Sequence, residues 1–302
     1  MSYTTLQIFG TAKVLLSSLI SRYSKRESEN IIRILVEEVT GKNYYLVKTD
    51  PELTFSQDQY LRWKEVADQL EKGVPLQYAL GKAWFIDLEL QVGPGVLIPR
   101  PETEELADLA EKTALYIKGL PHRQQSSPTP SLKILDIGTG SGCIAIYLAR
   151  KLKGAHIIAN DVSEIALTTA QKNASIYKVS IEPFLMDTLQ ASPNQFSDLD
   201  LIVSNPPYIP ISEKAEMDAL VTKNEPDLAL FVSDEDPLVF YEKTAKLSKD
   251  WLQPWGSVLC ETHENLAQEV TKLFQDIGFQ QVEIIRDLQG KERMVRAFLQ
   301  KA

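Results

Sequence analysis

The segment Asn205-Pro206-Pro207-Tyr208 carries a residue pattern suited to chemistry on a planar nitrogen, and it follows an apolar run at Leu201–Ser204. Its two prolines stiffen the backbone and remove two N–H donors, so the Asn205 side-chain oxygen and the Pro206 carbonyl are left as paired acceptors. Each acceptor can bind one hydrogen of an NH₂ group and turn the nitrogen lone pair toward a methyl donor. Tyr208 can cover a flat amide or base, and its ring suits a nearby cation.

A glycine-rich turn, Gly138-Thr139-Gly140-Ser141-Gly142, lies earlier in the chain after another apolar run. Glycine at every second position lets a ligand approach the main chain closely, because no Cβ atoms intervene. The spacing differs from the dinucleotide fingerprint G-x-G-x-x-G, and the lysine of a P-loop is missing. The turn therefore indicates a cofactor site, with a plain tight turn and a nicotinamide site as alternatives.

Two acidic residues follow the next two apolar runs. Asp161 comes about twenty residues after the glycines, the spacing at which a carboxylate meets ribose hydroxyls in doubly wound folds. Alternatively, Asp161 caps the helix that begins near Ser163, and the two roles can coexist. Asp187, with Thr188 directly after it, is predicted to lie near the adenine edge of such a ligand.

These segments belong to an alternation of apolar runs and helical patterns after Ser131. Strands are predicted at Leu132–Ile137, Ala155–Ala159, Ile181–Met186 and Leu201–Ser204, and helices between them at Cys143–Lys151 and Ser163–Tyr177. Further on, a helix near Leu238–Leu252, a strand at Val258–Glu261, a helix at Leu266–Ile277 and strands at Gln281–Arg286 and Arg293–Leu299 are predicted. This alternation is typical of a parallel sheet covered on both faces.

The segment from Thr4 to about Leu80 shows apolar residues at helical spacing and almost no strand signal, which predicts a bundle of three or more helices. The third helix has Ser56 or Thr54 as a possible N-cap and is ended by Gly73 and Pro75. Such a bundle suits docking better than chemistry.

A different pattern, short β-like runs with a turn signal at Gly93-Pro94-Gly95, extends from Trp84 to Ile98 and predicts a hairpin joining two domains. Pro101 is placed to begin the next helix. The segment Gly119–Ser131, rich in proline and serine, is predicted to be a surface loop.

The composition narrows the function classes. The 302-residue chain is 44% hydrophobic and 24% charged, which predicts a globular protein of two domains. A formal charge of −9 argues against broad binding to a nucleic acid backbone and favours a protein or small-molecule substrate. No apolar run reaches the ~18–20 residues needed to span a bilayer, and no leader pattern is visible, so a cytoplasmic protein is expected.

The cysteines and histidines show no metal-binding pattern. Cys143 and Cys260 lie in separate apolar runs, as buried thiols do, which favours a reducing compartment. His122, His156 and His263 have no ligand spacing, so no metal site is expected.

Taken together, the motifs resemble the PrmC/HemK family of glutamine-N5 methyltransferases, over most of the chain. The matching segments are Pro75–Tyr78, Leu97–Glu104, Asp136–Gly142, Asn205–Tyr208, Glu225-Pro226 with Ala229-Leu230, and Arg286-Asp287 ahead of Glu292-Arg293. The resemblance implies a helical substrate-recognition domain (1–82), a hairpin linker (83–100) and a Rossmann-like, seven-stranded class I methyltransferase domain (101–302). It also implies methyl transfer from S-adenosylmethionine to the glutamine of the Gly-Gly-Gln motif in class 1 peptide chain release factors.

The resemblance also implies roles for individual residues. Contacts to S-adenosylmethionine would come from Gly138, Thr139, Gly140, Ser141, Gly142, Asp161, Asp187, Thr188 and Asn205. The glutamine amide would be held by Asn205, Pro206, Pro207 and Tyr208, with Asn205, Pro206 and Tyr208 as the catalytic set. Many relatives carry an aromatic residue where this chain has Thr188, so another apolar side chain is expected to stack on the adenine. Arg100 orients either a carboxylate or the Asn-Pro-Pro-Tyr loop, or else pairs with surface acids.

Two other functions fit parts of the pattern. An Asn-Pro-Pro-Tyr segment binds any flat NH₂ group, so an amino methyltransferase acting on adenine in DNA or RNA is the alternative, although no basic target-reading region is visible. A non-catalytic protein that docks through its helical domain is the second, and it leaves the glycine turn and Asn205 without a role.

Overall fold

The computed structural model describes residues 3–4, 12, 14–121 and 131–300. These residues fall into two units, Met1–Gly81 and Lys82–Ala302. Most of the predicted proline- and serine-rich loop, including His122, lies outside the described residues. The functional division at residues 82 and 100 stays a prediction. Across the described part of the chain, every helix is too short or too polar to cross a membrane.

The first unit is built from helices around one apolar core. They are α1 (Lys25–Thr40), α2 (Tyr44–Thr49), α3 (Gln57–Glu71) and α4 (Leu76–Leu80), and residues 14–19 are helical as well. Leu35 and Val36 of α1 pack with Trp63 and Val66 of α3 in this core. The predicted helical bundle is therefore present in the described residues.

The N-cap of α3 is Ser56, not Thr54. The Ser56 hydroxyl accepts from the Gln59 backbone N–H at 3.2 Å, and the Gln59 side chain accepts from the Ser56 N–H at 2.9 Å. This reciprocal capping box satisfies two N–H groups that the helix leaves unpaired. Thr54 instead belongs to a short strand, β2 (Thr54–Phe55), which pairs antiparallel with β1 (Tyr3–Thr4).

The second unit opens with a hairpin of β3 (Lys82–Phe85) and β4 (Leu88–Gln91). Its turn lies at Ile86, whose φ of 54° is unusual for a branched residue. The predicted turn at Gly93-Pro94-Gly95 comes after β4, so it ends the hairpin and does not form its turn.

The rest of this unit is a mixed seven-stranded sheet in the order β12-β13-β11-β8-β5-β6-β7. The strands are β5 (Lys133–Ile137), β6 (His156–Asp161), β7 (Glu182–Leu185), β8 (Leu199–Ser204), β11 (Leu252–Glu261), β12 (Gln281–Arg286) and β13 (Glu292–Phe298), and β9 (Ile209–Pro210) and β10 (Phe231–Val232) form a separate parallel pair. The helices are α5 (Pro101–Lys118), α6 (Cys143–Lys151), α7 (Glu164–Ile176), α8 (Ala219–Asn224), α9 (Asp227–Leu230), α10 (Val239–Trp251) and α11 (Ala267–Ile277). The observed bounds of α6 and β12 equal the predicted ones.

Side chains that alternate along the strands enter two separate cores. Leu201 and Val203 pack with α5 and α6 on one face. Ile202 packs with α10 and α11 on the other. The predicted doubly covered, Rossmann-like sheet is confirmed.

The order of the strands creates a crevice at one edge of the sheet. From β5 the chain proceeds outward to β6 and β7, then crosses back to place β8 on the other side of β5. Connections therefore leave the carboxyl ends of β5 and β8 in opposite directions, and ligands of open α/β sheets bind at such a switch point. The glycine turn follows β5, and the Asn-Pro-Pro-Tyr segment follows β8.

Candidate active site

In the glycine turn between β5 and α6, Gly140 and Gly142 are required for two different physical reasons. Gly140 has a φ of +55°, and a Cβ built there would meet no atom within 4 Å, so its main chain faces open space. Gly142 has a φ of +82°, and a Cβ there would lie 2.9 Å from the Cβ of Ala170 on α7. Gly140 thus leaves room for a ligand, whereas Gly142 allows α6 and α7 to pack closely.

Asp136 holds this turn through two hydrogen bonds. Its Oδ2 accepts from the Thr139 hydroxyl at 2.7 Å and from the Ala145 N–H at 3.2 Å. Burial raises the pKa of Asp136 to about 7. Thr139 and Ser141 are 3% and 2% exposed, so both residues are buried in the turn.

Asp161, at the end of β6, also holds the glycine turn through a hydrogen bond. Its Oδ2 accepts from the Gly140 N–H and its Oδ1 from the Ser163 N–H, both at 2.9 Å. Burial raises the pKa of this carboxyl. The N-cap of α7 is Ser163, whose hydroxyl accepts from the Ala166 N–H, so the alternative prediction that Asp161 caps this helix is wrong.

Asp187 and Thr188 follow β7. Asp187 accepts from the Leu189 N–H at 2.9 Å and begins a 3₁₀ turn. The Thr188 hydroxyl donates to Asn160 Oδ1 at 3.2 Å, which directs it inward. Phe240, on the α10 helix that packs against this turn, is an aromatic residue of the crevice that the sequence did not single out.

These segments enclose a first cavity of about 380 Å³, within the usual range for small-molecule sites. Its walls come from the ends of β5, β6, β7 and β8, and from Gly95–Leu97, Leu228 and Phe240. Of the predicted cofactor residues, Gly138, Gly140, Asp161, Asp187, Thr188 and Asn205 line it. Thr139, Ser141 and Gly142 are not in the lining.

The Asn205 side chain is tied to a buried carboxylate through a hydroxyl. Asn205 Nδ2 donates to Thr103 Oγ1 at 2.9 Å, and Thr103 Oγ1 donates to Glu261 Oε2 at 2.8 Å. The other carboxylate oxygen accepts from the Tyr208 hydroxyl at 3.0 Å. Thr103 lies in the first turn of α5, and Glu261 ends β11. The amide oxygen of Asn205 is thus the atom left for an incoming N–H group.

Glu261 is a carboxylate in an unusual environment. It is 1% exposed. Burial raises its pKa to about 7, while hydrogen bonds from Thr103 and Tyr208 act in the opposite direction. Burial and the neighbouring Glu261 charge also raise the pKa of the Tyr208 hydroxyl.

A second cavity of about 250 Å³ also contacts the Asn-Pro-Pro-Tyr segment. It shares Leu97, Asn205, Pro206 and Ala229 with the first cavity. The remainder of its lining is Arg100, Tyr208, Ile209, Met217, Val221 and Leu230. Polar groups there are few, and aliphatic side chains predominate.

Arg100 is held in place by a buried partner. Its Nη2 lies 2.7 Å from Glu225 Oε1, and Glu225 Oε2 accepts from the Ile98 N–H at 3.0 Å. The side chains are 31% and 2% exposed, respectively. This geometry agrees with the prediction that Arg100 orients a carboxylate and contradicts pairing with surface acids, because Glu225 is buried. Arg100 also lines the second cavity together with Asn205 and Tyr208, so a role toward the Asn-Pro-Pro-Tyr loop stays a prediction.

Metal-binding side chains do not cluster in the described ranges: they contain no group of three or more His, Cys, Asp or Glu residues able to hold an ion. His156 and His263 pair instead with Glu182 and Glu213, at 2.6 and 3.4 Å.

Comparison with known proteins gives matches over most of the chain. Residues 15–81 match the PrmC N-terminal domain, and residues 108–226 match the Methyltransferase small domain. The chain is 38% identical over 279 residues to the release factor glutamine methyltransferase of Flavobacterium psychrophilum, covering 92% of this chain and 94% of that protein. It is 36% identical over 280 residues to the protein of the same name from Bacteroides thetaiotaomicron, covering 93% and 96%.

A solved structure supports the fold alone. The hMettl16 catalytic domain, in complex with MAT2A 3'UTR hairpin 6, aligns with a TM-score of 0.51 at 16% identity, over 85% of this chain and 91% of that one.

Proposed function

Because the chain belongs to the release factor glutamine methyltransferase family, we propose that it transfers a methyl group from S-adenosylmethionine to the side-chain amide nitrogen of the glutamine in the Gly-Gly-Gln motif of class 1 peptide chain release factors. The observation that carries this proposal is that Asn205 and Pro206 line both cavities. A methyl donor in the first cavity and an amide in the second would meet at this shared wall.

The volume and the polar groups of the first cavity support binding of S-adenosylmethionine. The open space beside Gly140 admits a ligand against the main chain, and the Asp161 carboxylate is an acceptor suited to ribose hydroxyls. Met186, Leu189 and Phe240 provide apolar surface for a flat base, with Phe240 as the candidate for stacking. S-adenosylmethionine, when bound, would supply a sulfonium methyl. The amide nitrogen would take this methyl as the C–S bond breaks and sulfur keeps its electrons, and the nitrogen would then lose its proton to water.

The chain's own contribution is to hold the amide nitrogen in the reactive geometry. Asn205 Oδ1 and the Pro206 carbonyl each accept one N–H of the glutamine amide, which draws the nitrogen out of conjugation. Tyr208 covers the amide, and its ring is fixed because its hydroxyl donates to Glu261. No catalytic base is needed, since methylation itself makes the nitrogen acidic.

The second cavity favours a glutamine side chain over adenine. An extruded base is recognised by hydrogen bonds to its edge, whereas this lining is mainly aliphatic, with Ile209, Met217 and Val221 among its members. Such a surface suits the methylene stem of glutamine. The helical segment 1–82 would contribute to recognition of the release factor, with 83–100 as linker and 101–302 as the catalytic domain.

A transfer assay with labelled S-adenosylmethionine tests this function. The substrates are purified class 1 release factor, its Gly-Gly-Gln variant with glutamine replaced by alanine, and DNA or RNA. We expect label only on the unmodified release factor, at glutamine by mass spectrometry. Label on adenine would support the alternative instead. Binding of release factor without any binding of S-adenosylmethionine in calorimetry would leave a non-catalytic docking protein.

A further inference from the structure

The two ends of the Asn205 amide have similar shapes but opposite hydrogen-bonding roles, so its surroundings must decide which end faces the substrate. The Thr103 hydroxyl has one hydrogen, and it donates this hydrogen to Glu261 Oε2. Toward Asn205, Thr103 can therefore act only as an acceptor, which selects Nδ2 and leaves Oδ1 on the other side.

We infer that Thr103 and Glu261 are positioning residues that lock the Asn205 amide with its oxygen facing the substrate nitrogen. This inference rests on the proposed function, because it assigns a purpose to the acceptor orientation of Asn205. Neither residue needs to touch the substrate or the cofactor.

Burial makes this hydrogen-bonded arrangement of Thr103 and Glu261 behind Asn205, here called the lock, effective. Thr103 is 3% exposed and Glu261 is 1% exposed, so water does not replace either partner. An ionised carboxylate only accepts hydrogen bonds, which commits the hydroxyls of both Thr103 and Tyr208 to donate to it. A protonated Glu261 can donate to Thr103 instead. The Thr103 hydroxyl can then donate to Asn205, which favours the flipped amide with Oδ1 toward Thr103 and Nδ2 toward the substrate.

The ionisation of Glu261 is set by groups on several elements. Glu102 on α5 raises its pKa, and Arg293 on β13 lowers it. The other titratable groups acting with it are Tyr208 after β8, Cys143 on α6 and Tyr241 on α10. Deep burial is the largest influence, and it keeps the carboxyl within reach of protonation near neutral pH.

The lock is tested by substitutions at Thr103 with a matched control. Thr103→Val removes the hydroxyl but keeps the shape, and Thr103→Ser restores the hydroxyl. The control is Thr113→Val, on the same helix α5, because Thr113 is equally buried at 1% exposed and its hydroxyl contacts only Arg296 at 3.3 Å among the bonds described for it. Kinetics are measured with release factor at saturating S-adenosylmethionine, and cofactor affinity is measured separately by calorimetry.

We expect Thr103→Val to lower kcat about tenfold to a hundredfold. This is less than the loss of about a hundredfold to a thousandfold on removing a group that contacts the reacting atoms, because Thr103 acts through Asn205. The KM for release factor and the affinity for S-adenosylmethionine should stay within about threefold of wild type, because the lost contact acts at the reacting nitrogen. Thr103→Ser should recover most of kcat, and Thr113→Val should match wild type.

A Thr103→Val enzyme with wild-type kcat would overturn the lock, and so would an equal loss in Thr103→Ser or Thr113→Val. If Thr103→Val does not fold, the pH dependence of kcat in Glu261→Gln decides. If kcat no longer falls at acidic pH in this variant, the lock is supported; if kcat falls as in wild type, the lock is overturned. A wild-type enzyme that methylates no release factor contradicts the proposed function itself, which is a separate outcome.

Discussion

Removal of Arg100 should lower the free energy of unfolding, because the buried Glu225 carboxylate loses its charged partner. In Arg100→Met, the Glu225 side chain, which is 2% exposed in the wild-type structure, keeps one donor, the Ile98 N–H. Loss of one partner of a buried ion pair costs about 3–5 kcal/mol. Because the Arg100 side chain is 31% exposed, water screens part of this effect, and we expect a loss of about 2–3 kcal/mol.

The reverse substitution should be milder. In Glu225→Gln, the guanidinium keeps its access to water, and the amide oxygen can still accept from one donor. We expect a loss of about 1 kcal/mol. The double variant should cost less than the sum of the two by about 1 kcal/mol, since the pair is lost only once.

The assay is urea denaturation at neutral pH, followed by tryptophan fluorescence, for wild type, both single variants and the double variant. The buried Trp251 reports on the unit that contains the pair. Equal losses in the two single variants, or strict additivity in the double variant, would refute the reasoning that the carboxylate is the desolvated partner.

Three further predictions concern the proposed catalytic machinery. Asn205→Ala should remove about 2.7 kcal/mol or more of transition-state stabilisation and leave S-adenosylmethionine affinity nearly intact, and turnover equal to wild type would contradict its role. For pH dependence, the lock needs ionised Glu261, whose pKa is raised to about 7, so kcat should fall as the pH drops through and below that value. A pH–rate profile should show this limb in wild type and not in Glu261→Gln, and a limb shared by both would exclude Glu261 as its source. Gly142→Ala should destabilise the fold by about 2–5 kcal/mol, as measured by denaturation, because its φ of +82° costs about 1–2 kcal/mol and its Cβ, 2.9 Å from the Ala170 Cβ, adds about 1–3 kcal/mol. Gly140→Ala meets no atom and should lose less stability, about 1–2 kcal/mol from its positive φ, but it should weaken cofactor binding in calorimetry; the opposite ranking would contradict the division of roles.

The sequence was sufficient for the fold of the second unit and for the family. Its strands are short apolar runs between clear helical patterns. The runs are apolar because helices cover both faces of the sheet, so the side chains on both faces are buried. The resemblance to the PrmC/HemK family is confirmed by relatives that match almost the whole chain. The turn of the hairpin carries no glycine or proline signal in the sequence, because Ile86 adopts a positive φ that is rare for a β-branched residue.

The polar network behind Asn205 could not be predicted from the sequence. Thr103 and Glu261 are 158 residues apart, and they meet only because the sheet order places β11 beside β8 under the start of α5. A glutamate that ends a strand resembles any polar strand terminus until its burial is known. The pairing of Arg100 with Glu225 is hidden for the same reason, since 125 residues separate them.

The wall shared by the two cavities has a thermodynamic consequence. Asn205 and Pro206 form one short, proline-stiffened partition with a cavity on either side. Any shift of this partition on filling one site alters the free energy of filling the other, and equilibrium linkage requires the effect to be equal in both directions. Under the proposed function, such a shift would couple the dissociation constants of S-adenosylmethionine and of the release factor.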